Sequence, residues 1–141
     1  RLAERFGSQS VVVSVDVKRN WRGKPQLYAA AKQKSIAMLW LEFAKRAAEV
    51  GAGEILLNSV HYDGTMQGPD LELIRQASSA LSVPLIATGG IGSLADIKAA
   101  VNVGASAVAA GAFFVFHGPH RAVLITYPRY EELEALLEVK L

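Results

Sequence analysis

Gly51 to Thr65 reads GAGEILLNSVHYDGT: a turn bracketed by glycines, an apolar run EILLNSV at 54–60, and a polar exit carrying Asp63 and Gly64. The run does not alternate cleanly between apolar and polar residues, and it is short. That combination suits a strand buried on both faces of a parallel sheet. Three further runs have the same character: VVVSVDV (Val11 to Val17), PLIATGG (Pro84 to Gly90) and ASAVAAG (Ala105 to Gly111).

The segments between these runs carry helical spacing. From Ser35 onward, Ile36, Leu39, Trp40, Phe43, Ala44, Ala47 and Val50 share one side, with Glu42, Lys45, Arg46 and Glu49 opposite, as in an amphipathic helix covering a sheet. A second helix is expected to begin at Gly68-Pro69-Asp70, with Pro in its first turn and Leu71, Ile74 and Leu81 on one side. A third starts at Ser93, with Asp96 at capping-box spacing, and stops at Gly104. A fourth follows Pro128 and carries Tyr130, Leu133, Leu136 and Leu137. The order is β-α-β-α-β-α-β-α. A faint repeat, AAEVGAGEILLNS at 47–59 against AAVNVGASAVAAG at 99–111, reads helix end, Gly-Ala turn, strand in both copies. Such units lie in an open sheet or close a barrel. A complete eight-unit barrel needs roughly 250 residues, so four units in 141 residues make half of one.

Composition narrows the classes further. Half the chain is apolar, and 15 Lys plus Arg against 13 Asp plus Glu leave a net charge of +2. Hydrophobicity is too high for a disordered tail, glycine has no three-residue period, and cysteine is absent, so neither a collagen-like repeat nor a disulfide scaffold fits. The longest apolar stretch, Ala105 to Phe116, is interrupted by Ser106 and Gly111 and falls short of the ~20 residues of a membrane span. We expect a soluble protein. The opening RLAERFGSQS carries no signal-peptide pattern and reads as a chain entered partway through a helix.

Asp16 ends an otherwise apolar strand, where a carboxylate is costly unless solvated, paired or used. In a parallel βα architecture that end is where ligands bind. Capping a loop or pairing with Lys18 or Arg19 is the structural alternative, and position alone does not separate function from structure. Asp63 precedes Gly64, a combination that by itself is turn chemistry. It gains weight because Asp16 and Asp63 would emerge on the same rim. Thr88-Gly89-Gly90-Ile91-Gly92 leads into the Ser93 helix start, and Ala110-Gly111-Ala112 supplies a second small-residue turn. Two such turns on adjacent strands favour phosphate binding. The stretch 18–34, KRNWRGKPQLYAAAKQK, has six basic residues, no acids, and Trp21 and Tyr28 interleaved. Nucleic-acid binding is one reading of it. The low net charge and the lack of a second basic tract favour a mobile active-site loop drawing in an anionic substrate, and we expect no nucleic-acid partner. His61, His117 and His120 lie on different loops with no cysteine partner and make no credible metal set.

Taken together, VVVSVDVKR, GAGEILLNSVHYDGT, PLIATGGIG and GASAVAAG resemble, in order and spacing, the C-terminal half of the cyclase subunit of imidazole glycerol phosphate synthase. The resemblance covers nearly the whole chain. It implies an α/β fold that is half of a (βα)8 TIM barrel, the fifth to eighth βα units, with residues 1–141 as a single half-barrel domain. It places Asp16 as the catalytic acid/base and Asp63 as an assisting rim aspartate. It places Gly64, Gly89, Gly90, Ala110 and Gly111 around the substrate's glycerol phosphate, with Lys18, Asn58, Ser59 and Thr88 as further binding residues. It also implies a phosphorylated substrate, a glutaminase subunit supplying ammonia, a cytoplasmic setting, and no cofactor or metal.

Some residues depart from that pattern. Asn58 and His61 stand where the family typically has Thr and Asp, and Gly111 replaces a phosphate-holding Ser. The tail FFVFHGPHRAVLITYPRYEELEAL looks more like cyclase-like proteins of surface-polysaccharide pathways that install acetamidino groups on sugars. A non-catalytic phosphate-binding half-barrel that assembles into an oligomer is the third reading. A half-barrel alone is expected to expose two unpaired strand edges and an apolar face, and so to pair with an N-terminal half or a second copy.

Overall fold

The computed structural model describes residues 2–138; the first residue and the last three of the expected domain lie outside them. A short helix α1 (Leu2–Phe6) and a 3-10 turn (Ser8–Ser10) lead into β1 (Val12–Arg19). Then come β2 (Pro25–Ala29), β3 (Lys34–Ser35), α2 (Trp40–Glu49), β4 (Glu54–Ser59), α3 (Leu71–Ala80), β5 (Leu85–Thr88), α4 (Leu94–Asn102) and β6 (Ala107–Ala109). The chain ends with α5 (Ala112–Val115), a hairpin of β7 (Phe116–His117) and β8 (Ala122–Val123), and α6 (Tyr130–Leu137). No helix among the described residues is long and apolar enough to cross a membrane.

The main sheet has the order β3-β2-β1-β4-β5-β6. Strands β1, β4, β5 and β6 run parallel, each joined to the next by a helical crossover. These are four successive βα units, the content of half a (βα)8 barrel. Continuous apolar runs predict strands buried on both faces, but the observed burial alternates. Val15, Val17, Ile55, Leu57, Leu85 and Ala87 are buried with Ala44, Ala47, Leu73, Ile74, Ala77 and Ala100 in one core cluster. Their in-between neighbours Asp16, Leu56, Asn58, Ile86 and Thr88 keep part of their surface and Ser14 is exposed, because successive strand residues point to opposite faces and the helices bury only one.

Two further expectations are corrected. The basic stretch is not a loose loop: Lys18 and Arg19 end β1, and β2 folds back antiparallel with Val17 opposite Leu27 and Lys18 opposite Gln26. The reversal is local chemistry. Asn20 Oδ1 accepts from the amides of Arg22 (2.9 Å) and Lys24 (3.0 Å), an Asx-type turn that closes the hairpin. The first amphipathic helix begins at Trp40 rather than Ser35, since Lys34 and Ser35 pair with β2 and the Ile36 amide donates to the Leu27 carbonyl at 2.8 Å. Ile36, Leu39 and Val50 are accordingly exposed. The sheet keeps two edges, as expected, but the hairpin moves one of them: it covers β1 from Val17 to Arg19, so the outer strands are β3 and β6.

The other helix starts lie close to expectation. Asp70 is the N-cap of α3, accepting from the Leu73 amide at 3.1 Å, with Pro69 one position outside. Ser93 caps α4 by accepting from the Asp96 amide at 3.2 Å. Asp96 accepts in return from the Gly92 amide and the Ser93 hydroxyl.

Candidate active site

The parallel register sets one residue from each strand in a row near the carboxyl ends. Asp16 lies opposite Asn58, Asn58 opposite Thr88, and Thr88 opposite Ala109. All four fall on the face that the helices do not bury, where a parallel βα sheet binds its ligands. The first two residues of the row touch: Asn58 Nδ2 donates to Asp16 Oδ1 at 3.1 Å. Asn58 Oδ1 is buried against the β5 exit and has no hydrogen-bond partner among the described residues.

Asp16 is not used in a local ion pair. Arg19 makes a two-pronged bond to Asp70, Nε to Oδ2 at 2.8 Å and Nη2 to Oδ1 at 2.9 Å, and donates Nη1 to the Gly23 carbonyl. Lys18 lies with its ammonium 5.0 Å from the centre of the Tyr28 ring, a cation–π arrangement. Neither ion pair raised for Asp16 is therefore realised, and Asp16 lines a cleft of about 640 Å³ together with Ser14, Tyr28, Lys32, Lys34 and Phe43 among others. A half-buried carboxylate, oriented by one amide donor and open to a cleft with two lysines, can accept and return a proton while an anion is held nearby.

Asp63 lies on the turn after β4 and is exposed. The amides of Tyr62 and Asp63 both donate to the Ser59 carbonyl at 3.0 Å, and the Thr65 amide and hydroxyl both donate to the Tyr62 carbonyl. Gly64, with φ +73°, lets the turn reverse. Ser59 itself faces the helix side and is buried, so it serves the rim through its carbonyl and is not in the row.

The glycine pair after β5 is held by packing. Gly89 and Gly90 have φ +95° and +90°. A Cβ on Gly89 would stand 2.6 Å from the Ser59 carbonyl oxygen, and one on Gly90 would stand 2.1 Å from that of Gly68. The Gly68 amide also donates to the Gly90 carbonyl at 2.8 Å. Glycine is required here because two backbones meet, which binds the rim turns after β4 and β5 into one unit at the start of α4. Gly111 differs: φ is −102° and nothing lies within 4 Å of an added Cβ. Ala110 is half-buried beside it.

Two long-range side-chain contacts at the rim are absent from the sequence reading. Arg19–Asp70 locks the end of β1 to the start of α3, and Arg121 donates to the Gly64 carbonyl at 2.6 Å. Asp70 was legible as an acid at a helix start, but its partner 51 positions earlier had no local signal. His61, His117 and His120 are exposed and separate, and no group of three or more His, Cys, Asp or Glu gathers among the described residues.

Comparison with known proteins shows the family. The family model described as "Histidine biosynthesis protein" matches residues 1–120. The HisF subunit of imidazole glycerol phosphate synthase from Streptomyces coelicolor is 47% identical over 115 residues, covering 82% of this chain and 46% of that protein. A Pseudomonas aeruginosa protein with the provisional name imidazole glycerol phosphate synthase subunit hisF2 is 44% identical over 135 residues, covering 95% of this chain and 54% of the relative. A Vibrio vulnificus relative provisionally named subunit hisF3 is 41% identical over 144 residues, covering 99% and 54%. The chain spans about half the length of the curated relatives it matches. With the family model matching 120 of the 141 residues, the chain belongs to the histidine biosynthesis protein family.

Proposed function

We propose that residues 1–141 form the C-terminal half of an ammonia-using cyclase barrel of the imidazole glycerol phosphate synthase type, acting in the cytoplasm in histidine biosynthesis. The reading is carried by one observation: Asp16, Asn58 and Thr88 stand in register on one face at the carboxyl ends of adjacent parallel strands, with Asp63 on the neighbouring turn. In this reading the substrate is a ribulosyl aminoimidazole carboxamide nucleotide. Ammonia from a glutaminase subunit adds to it, the imidazole ring closes with loss of water, and cleavage gives imidazole glycerol phosphate and an aminoimidazole carboxamide ribonucleotide. Asp16 accepts and returns the protons of ring closure, oriented by the Asn58 amide, and Asp63 assists. The backbone at Gly64, Gly89, Gly90, Ala110 and Gly111 holds the glycerol phosphate beside the α4 N-terminus. Lys18 and Thr88 contact the substrate's polar groups. No metal or cofactor enters these steps. An N-terminal half-barrel, or a second copy of this half, covers the open face and completes the site.

The test is complementation. The chain is combined with the separately expressed N-terminal half of a related cyclase, the complex is weighed by light scattering, and ammonia-dependent turnover is measured. A one-to-one complex that turns over, and loses at least about 100-fold in kcat with Asp16→Asn, is the expected result. A complex with no turnover, or full activity in Asp16→Asn, refutes the reading.

A second reading has its own support. The family match stops at residue 120, whereas relatives from P. aeruginosa and V. vulnificus align over 95% and 99% of the chain. The tail is thus shared with provisionally named, numbered subunits, and its resemblance to cyclase-like proteins of sugar acetamidino modification is what supports the second reading. Turnover with a sugar acceptor in place of the ribulosyl nucleotide would decide for it.

A further inference from the structure

We infer that Arg121, in the hairpin between β6 and α6, is a positioning residue that holds the rim turn carrying Asp63. The inference rests on the proposed role of Asp63 as the assisting acid.

After β6 the chain does not run straight into its last helix. It forms α5 and then the β7–β8 hairpin, which backbone bonds extend beyond its short strands: the Leu124 amide donates to Val115, and the Thr126 amide to Phe114, each at 3.0 Å. The hairpin turn closes through the Arg121 amide on the Gly118 carbonyl at 3.0 Å. Arg121 sits there at φ +49°, a left-handed conformation that non-glycine residues avoid. From that place its guanidinium lies 4.9 Å from the centre of the Phe116 ring and donates Nη2 to the Gly64 carbonyl at 2.6 Å.

The receiving turn explains why this contact matters. Its base is well held, with the Tyr62 and Asp63 amides on Ser59 and the Thr65 amide on Tyr62. None of those bonds uses the tip carbonyl at Gly64. Arg121 supplies a charge-assisted bond to it, from 57 residues away, directly after the residue whose carboxylate must be placed. An exposed acid on a glycine turn would otherwise sample several positions, and general acid–base chemistry is steeply sensitive to placement. Arg121 is the first residue past the family match, yet it falls within the segment shared with the P. aeruginosa and V. vulnificus relatives.

The experiment compares Arg121→Met and Arg121→Lys with the parent chain by amide hydrogen exchange, and then in the complemented half-barrel by steady-state kinetics. In Arg121→Met, exchange at residues 61–66 is expected to rise by about tenfold or more while β4 and β5 stay protected. The same variant is expected to lose about tenfold in kcat with KM within about twofold, and Arg121→Lys, which keeps a donor, to recover part of both. Unchanged exchange at 61–66 in Arg121→Met overturns the inference, as does faster exchange with undiminished kcat. A parent complex that never turns over refutes the cyclase reading instead, and hydrogen exchange then decides on its own whether Arg121 holds the turn.

Discussion

Removing the Asp70 carboxylate tests how the end of β1 is fixed in space. Asp70 is nearly buried, with a side-chain exposure of 6%, and holds two things at once: the Leu73 amide, as the N-cap of α3, and the Arg19 guanidinium. Loss of an N-cap costs about 1 kcal/mol. Breaking a fully buried ion pair costs about 3–5 kcal/mol because the survivor is stranded. Arg19 keeps 29% side-chain exposure and its bond to the Gly23 carbonyl, so it rehydrates in part, and about 1–2 kcal/mol is the appropriate share. Asp70→Ala is then expected to lose about 2–3 kcal/mol, and Asp70→Asn, which preserves the cap, about 1–2 kcal/mol. A double-mutant cycle with Arg19→Met is expected to return a coupling of about 1–2 kcal/mol. The assay is urea unfolding followed by circular dichroism at neutral pH. If Asp70→Asn matches the parent while Asp70→Ala loses only the cap, or if the coupling falls below about 0.5 kcal/mol, the pair does not fix the strand end and the argument fails.

Gly90→Ala places a methyl group 2.1 Å from the Gly68 carbonyl oxygen at φ +90°; a loss of at least about 2 kcal/mol in urea unfolding is expected. Gly111→Ser meets no neighbour within 4 Å and is expected to stay within about 0.5 kcal/mol of the parent, with tighter phosphate binding by calorimetry if the Ala110-Gly111 turn contacts the anion. Glu72 is held below the ordinary 4.5 chiefly by the Gln76 side-chain amide, and also by Arg75. Its folded state binds the proton less readily than the unfolded chain, so its contribution is present above 4.5 and fades as pH falls through the lowered value. Unfolding midpoints for Glu72→Gln should accordingly decline less steeply on the acid limb than those of the parent.

The parallel strands and their helices were legible because each depends on local signals: apolar runs between glycine turns, a Ser93–Asp96 cap, a 3.6-residue stripe. The rim was legible for the same reason, since Asp16, Asp63, Gly89 and Gly90 sit at strand ends. What stayed hidden depends on pairs distant in the chain. The β1–β2 hairpin replaced a loop because Asn20 folds its turn and Leu27 enters the core opposite Val17. Six cations in one stretch had pointed to solvent rather than to pairing. The β7–β8 hairpin went unseen because each strand is two residues long, below what periodicity detects. The glycine pair has a second reason to be glycine that no local signal carries. Its flexibility suggested a phosphate cradle, but the crowding by the Ser59 and Gly68 carbonyls shows that packing of two turns already demands glycine.

Stability and chemistry are divided between the two faces of the same strands, and the division follows from register. Val15, Val17 and Leu57 point into the helix-side core and are almost wholly buried, each contributing about 1.5–3 kcal/mol through burial. Asp16 and Asn58 occupy the intervening positions, paired across the β1–β4 ladder. A slip of one residue in that ladder would move the apolar set out of the core and press Asp16 into it. The cost of burying an unpaired carboxylate adds to the lost burial, so the core that folds the sheet also excludes registers that misplace the acid. Truncating Leu57 to Ala should therefore lower stability by about 2–4 kcal/mol while leaving the Asn58–Asp16 bond in place. Asn58→Leu should do the reverse: it spares the core and removes the one side-chain donor that orients Asp16. If Asn58→Leu proved as destabilising as Leu57→Ala, the two faces would not be separate in function, and the row at the carboxyl ends would be part of the scaffold.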